Sequence, residues 1–112
     1  MLIEWNRLRE LCLEIGPEDF DEIVEVFLEE VAEAIGQIDP NLDLAALEGR
    51  LHFVKSSALN LGFAGLAEMC RTGEALAAGG SRPDNQIAGI PGVFRQSLDE
   101  FHAGRGNIYA AA

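Results

Sequence analysis

Basic residues are scarce in this chain of 112 residues. Eight Lys and Arg stand against nineteen Asp and Glu, for a formal net charge of −11 at pH 7, and Lys55 is the single lysine. A surface this acidic repels phosphate backbones, which excludes nucleic acid as the expected partner and an anionic membrane surface with it. Cysteine is equally scarce. Cys12 and Cys70 form no spacing motif and fall at apolar positions of helical patterns, so they are read as buried thiols rather than a disulfide scaffold. The only histidines, His52 and His102, lie far apart in sequence and do not make a zinc site. The acidic runs lack the glycine and asparagine spacing of a calcium loop, and no Glu-x-x-His pair of a di-iron bundle is present. No metal ligand set is therefore expected. There is no long apolar run, and Glu4 stands near the start, so neither a signal peptide nor a membrane span is expected and the default compartment is the cytoplasm.

What is present is ample apolar material, 48% of the residues, for one core and one domain covering residues 1–112. No segment sustains the alternation of a strand, whereas helical periodicity recurs along the chain. Residues 4–15 put Trp5, Leu8, Cys12 and Ile15 on one face. Gly16-Pro17 ends that segment and opens the next, because proline suits a first turn and not an interior. Residues 18–38 carry the stripe Phe20, Ile23, Val24, Phe27, Leu28, Val31, Ile35 and Ile38, opposite a face that is nearly all Glu and Asp. Asp39-Pro40-Asn41 breaks the chain and offers caps. A third helix has the narrow seam Leu44, Leu47, Leu51, Val54, Ala58 and Leu61, ending or bending at Gly62. A fourth turns Leu66, Met69, Cys70, Gly73, Leu76 and Ala77 inward. Gly79-Gly80-Ser81-Arg82-Pro83 is a loop. The last helix carries Ile87, Ile90, Phe94, Leu98 and Phe101, and Pro91-Gly92 either starts it or kinks it. Residues 104–112 read as a frayed tail. Short connections favour antiparallel neighbours. The expected fold is all-α: an antiparallel up-and-down four-helix bundle with an additional short N-terminal helix.

His52 lies just off the seam of the third helix and should be at least partly exposed. Helical spacing gathers His52, Lys55 and Ser56 on one patch. An imidazole is a nitrogen nucleophile, largely neutral near pH 7 because its unperturbed pKa is about 6.5. Phosphoryl transfer asks mainly for positioning and charge stabilisation. A phosphoryl group on the ring would be dianionic, Lys55 could pair with it as a flexible point charge, and Ser56 or Ser57 could donate a hydrogen bond. A nucleophilic ring also needs its second nitrogen held. If the chain turns near Gly62-Phe63, His52 falls opposite Thr72, Gly73 and Glu74, and Glu74 is the expected acceptor for the ring N–H.

The run Leu51-His52-Phe53-Val54-Lys55-Ser56-Ser57-Ala58-Leu59-Asn60-Leu61-Gly62 resembles the signature of histidine-containing phosphotransfer (HPt) domains. In that family the pattern is His-x-Leu-Lys-Gly-Ser, a few residues, then Leu-Gly. The likeness extends through Leu66-Ala67-Glu68-Met69-Cys70 and, in helix order and length, over nearly the whole chain. The resemblance implies a four-helix bundle that carries a phosphoryl group between aspartates of response-regulator receiver domains, with His52 as phosphoacceptor and Lys55 as phosphate partner. Two positions depart from the pattern. Ser56 stands where the family usually has glycine, a small site-lining residue that leaves access open. Glu74 stands where the residue orienting the imidazole is often glutamine.

The expected function is a stand-alone phosphorelay carrier, not an enzyme. It would have no kinase domain of its own, since the chain has no phosphate loop and is too short for an ATP-binding domain. It would need no cofactor, with magnesium supplied by the partner receiver. The expected partners are receiver domains and a hybrid histidine kinase, met as a monomer through a face fringed by Gly49, Phe53 and Leu59. The alternative, favoured by Ser56 in place of glycine, is an unphosphorylated interaction module of the same fold that binds a receiver or a kinase. His102 adjoins the tail without a lysine partner and is read as a surface residue.

Overall fold

The computed structural model describes the backbone of residues 1–110 and the side chains of residues 1–108. Among the described residues there are six helices and no strand: α1 (Trp5–Ile15), α2 (Pro17–Gly36), α3 (Leu44–Asn60), α4 (Ala64–Ala78), α5 (Asp84–Gly104) and α6 (Gly106–Ala110). The boundaries follow from local chemistry. The Glu4 carboxylate accepts the Asn6 N–H and caps α1, and Gly16, at φ +99°, ends it by donating its N–H to Cys12 O. Pro17 then occupies the first turn of α2, where its missing N–H removes no helical bond, and Glu18 and Asp19 meet the positive end of the helix. Asp43 caps α3 by accepting the Ala46 N–H at 2.8 Å.

Residue pairs across the helix interfaces fix the direction of each helix. Arg50 of α3 reaches Gln37, which caps the end of α2, and a hollow further along the same two helices is lined by Phe27, Val31, Ser57 and Asn60. Phe63, at the start of α4, donates its N–H to Ala58 O near the end of α3, and position 73, further along α4, faces Leu51, further back on α3. Gly73 also packs near Gln86, while Gly89 of α5 lies against Met69. Each set of partners runs in opposite directions along its two helices, so α2 to α5 alternate up and down. Arg105, just past α5, closes the ring by pairing with Asp21 and Glu25 of α2. The core is a single cluster from all these helices, with Phe20, Leu47, Leu51, Phe63, Leu66 and Phe101 fully buried.

α1 lies over the end of the bundle where α3 turns into α4. The Glu4 N–H donates to Gly62 O at 2.7 Å, the Gly65 N–H to Leu2 O at 3.1 Å, and Trp5 stacks on Phe101 with ring centroids 6.4 Å apart. Trp5 is thus used within the chain.

Three details depart from the sequence expectation. α5 starts at Asp84, seven residues before Pro91, so of the two readings of Pro91-Gly92 the start is excluded and the proline lies inside the helix. Pro91 withholds one N–H from the ladder. The tail expected to fray from residue 104 is helical through α6, because Ile108 finds a buried place against α1. Residues 111 and 112 lie outside the described part. Leu11 is buried on α1 beside Leu8 and Cys12, which makes the inner face of that helix wider than the expected stripe.

Candidate functional site

The outward face of α3 carries the candidate residues. Gly49, His52, Phe53, Ser56 and Leu59 are all exposed on it, with Phe53 and Leu59 each 56% exposed. Phe53 stands apart from the other phenylalanines, which are buried fully or in part, while Leu59 shares its exposure with Leu13 of α1 and Val26 of α2. Phe53 borders a surface hollow between α2 and α3 that Ala34, Gln37, Ala46, Gly49 and Arg50 also line. Ser57 turns the other way, into the hollow beside Phe27, Glu30 and Val31, so of the two serines only Ser56 belongs to the His52 face.

Two features of the α3–α4 hairpin position the site. Gly62, at φ +69°, makes the turn, and the Phe63 N–H returns to Ala58 O at 2.8 Å. Gly73 lets the helices close up, since a Cβ there would sit 3.0 Å from Leu51 Cδ1. With that register set, Glu74 of α4 lies beside α3. Its Oε1 is 2.8 Å from His52 Nδ1 and its Oε2 is 2.7 Å from Lys55 Nζ. One carboxylate therefore bridges both residues. The His52 side chain remains 60% exposed, while Lys55 and Glu74 are largely covered, at 21% and 19%.

The electrostatics follow from this bridge. The Lys55 ammonium chiefly, and the His52 ring after it, hold the Glu74 carboxyl below its usual range, against the upward push of partial burial. Glu74 is thus an ionised acceptor near neutral pH. An ionised carboxylate can only accept, so Nδ1 carries the ring proton and Nε2 keeps its lone pair for whatever approaches from solvent. Behind the site, burial and then the Glu74 charge push the Cys70 thiol up to about 12.

Helical spacing and hairpin register were enough to place Glu74 near His52. The Lys55–Glu74 ion pair is a further finding. Its signal was present, since a residue one turn from His52 faces the same point across the hairpin. His102 sits apart from this patch, packed on the Phe101 ring and 3.4 Å from Arg105.

The fold and the site define an all-helical bundle that presents one oriented imidazole on the open face of a helix. The chain belongs to the Hpt domain family, whose model matches residues 22–104. Neither a curated protein nor a solved structure matches it. Hpt domains are helical phosphocarriers rather than catalysts. They act in histidine phosphotransfer within phosphorelay signalling, in contact with the receivers and kinases of the relay. Among the described residues no helix is long and apolar enough to cross a membrane.

Proposed function

We propose that this protein accepts a phosphoryl group on His52 Nε2 from the aspartyl phosphate of one receiver domain and passes it to the aspartate of another. The carrying observation is the 2.8 Å contact between Glu74 Oε1 and His52 Nδ1 on a ring that is otherwise open to solvent. In the accepting step the Nε2 lone pair forms the P–N bond. The P–O bond to the donor aspartate breaks, and that carboxylate leaves with the electron pair. The Nδ1 proton stays on the ring and its hydrogen bond to Glu74 strengthens as the ring gains positive charge. The forward step reverses these bonds on the acceptor aspartate.

Lys55 supplies the cation for the phosphoryl oxygens, and Ser56 lines the approach without filling it. Receivers dock over Gly49, Phe53 and Leu59 and bring their own magnesium, so this chain binds no metal or nucleotide. The interface is small and transient, as a relay requires. A hybrid histidine kinase stands upstream and the compartment is the cytoplasm. The carrier works as a monomer, a reading supported by the use of Trp5 inside its own fold.

The test is phosphotransfer from a panel of phosphorylated receivers, run beside His52→Gln. Acid-labile, alkali-stable label on the wild type and none on the variant is the expected result. A folded wild type that takes no label from any donor overturns the reading. Binding to a receiver without label would instead support the interaction module that Ser56 suggests.

A further inference from the structure

Resting on the phosphoacceptor role of His52, we infer that Glu74 is also the resting partner of Lys55, and that it competes with the phosphoryl group for this ammonium. The geometry carries the inference. Glu74 Oε2 lies 2.7 Å from Lys55 Nζ, on the same carboxylate whose Oε1 meets the ring. Lys55 is the single lysine, so no second ammonium is available to the site. Arg71, on the same helix as Glu74, is held by Glu68 in an ion pair of its own. A phosphoryl group on Nε2 would stand one helical turn from Lys55 and within reach of its flexible stem. The ammonium must then leave Glu74 or be shared with it, so the phosphoryl group has only part of its charge. Glu74 therefore orients the ring and at the same time limits how firmly the site holds its phosphoryl group. A glutamine in its place keeps an acceptor for the ring N–H and releases Lys55.

The experiment follows hydrolysis of phospho-His52. Water oxygen bonds to phosphorus, the P–Nε2 bond breaks and its electron pair returns to the ring. One water proton stays on phosphate and the other goes to solvent. The protein carries His102→Gln, so that His52 is the one remaining imidazole, and is phosphorylated with phosphoramidate, independently of any receiver. Lifetimes are compared for Glu74 and Glu74→Gln, each with Lys55 and with Lys55→Ala.

Glu74→Gln should lengthen the lifetime about two- to fivefold when Lys55 is present, the scale of a single ion pair at a protein surface, and leave it nearly unchanged beside Lys55→Ala. An equal effect in both backgrounds, or none, overturns the inference, because loss of the carboxylate would then act without the lysine. A second measurement uses the uniqueness of Lys55. Its side-chain εCH2 resonance in the unphosphorylated protein should move on Glu74→Gln, and an unmoved signal overturns the resting pair. Failure of His52 to take label from phosphoramidate overturns the competition, because no phosphoryl group then forms on the ring to draw the ammonium away. Failure of receivers alone to donate overturns the carrier role and leaves these readouts standing.

Discussion

Replacing Gly62 with alanine should loosen the protein at the hairpin that aligns His52 with Glu74. Gly62 has φ +69°, and an added Cβ would lie 2.6 Å from Glu4 O and 3.3 Å from Arg7 Cβ. The left-handed conformation itself costs an L-residue about 1–2 kcal/mol. The oxygen it meets is backbone, so relief requires the start of α1 to move. That movement stretches the 2.7 Å bond from the Glu4 N–H to Gly62 O. A hydrogen bond of this kind contributes about 0.5–1.5 kcal/mol net. The combined loss is about 2–3 kcal/mol, or roughly 10–20 °C in Tm for a domain of this size. Urea and thermal unfolding measure it. Trp5, the single tryptophan, reports the cause: its emission should shift to the red as α1 lifts from Phe101. Gly62→Asn should be milder, because asparagine tolerates the left-handed region yet brings the same Cβ. A Gly62→Ala protein within about 0.5 kcal/mol of wild type, with Trp5 emission unchanged, would refute the reasoning.

Position 49 offers the opposite outcome: a Cβ on Gly49 meets nothing within 4 Å, so Gly49→Ala should stabilise the mid-helix site by about 0.5–1 kcal/mol in urea unfolding. Gly49→Trp should keep the fold, read by circular dichroism, but slow phosphotransfer by crowding the His52 face. The Glu74 carboxyl is depressed in the folded state by Lys55 and His52, so its contribution is complete above its ordinary value of 4.5 and is lost as pH falls through the lower folded value. Wild type should therefore lose more stability than Lys55→Ala between about pH 5 and pH 3 in urea titrations. Both cysteines are buried, and the Cys70 thiol is pushed up to about 12, so a thiol reagent at pH 8 should label neither until urea unfolds the chain.

Much of this protein was legible in its sequence because its signals are local. Stripes at spacings of three and four dictate helices, Gly16-Pro17 and Asp39-Pro40-Asn41 punctuate them, and short connections force neighbours to run antiparallel. The spacing of His52, Lys55 and Ser56 put them on one patch before any partner helix was considered. Gly62 marked the turn, and counting back from it placed Glu74 across from His52.

What the sequence could not decide is which of several possible partners each side chain takes. Lys55 could face solvent or α4, and only the packed hairpin, closed up at Gly73, sets its ammonium on the carboxylate that also holds the ring. Ser56 and Ser57 are equivalent by composition, but the roll of α3 exposes one and turns the other towards α2. Ile108 gives no periodic signal of its own, and becomes core because α1 offers it a buried place. Trp5 could have served a second subunit, and the end of α5 stacks it inside the fold. Periodicity is a property of one helix and is written in neighbouring residues. Partner choice depends on register and roll between helices, which long-range packing fixes.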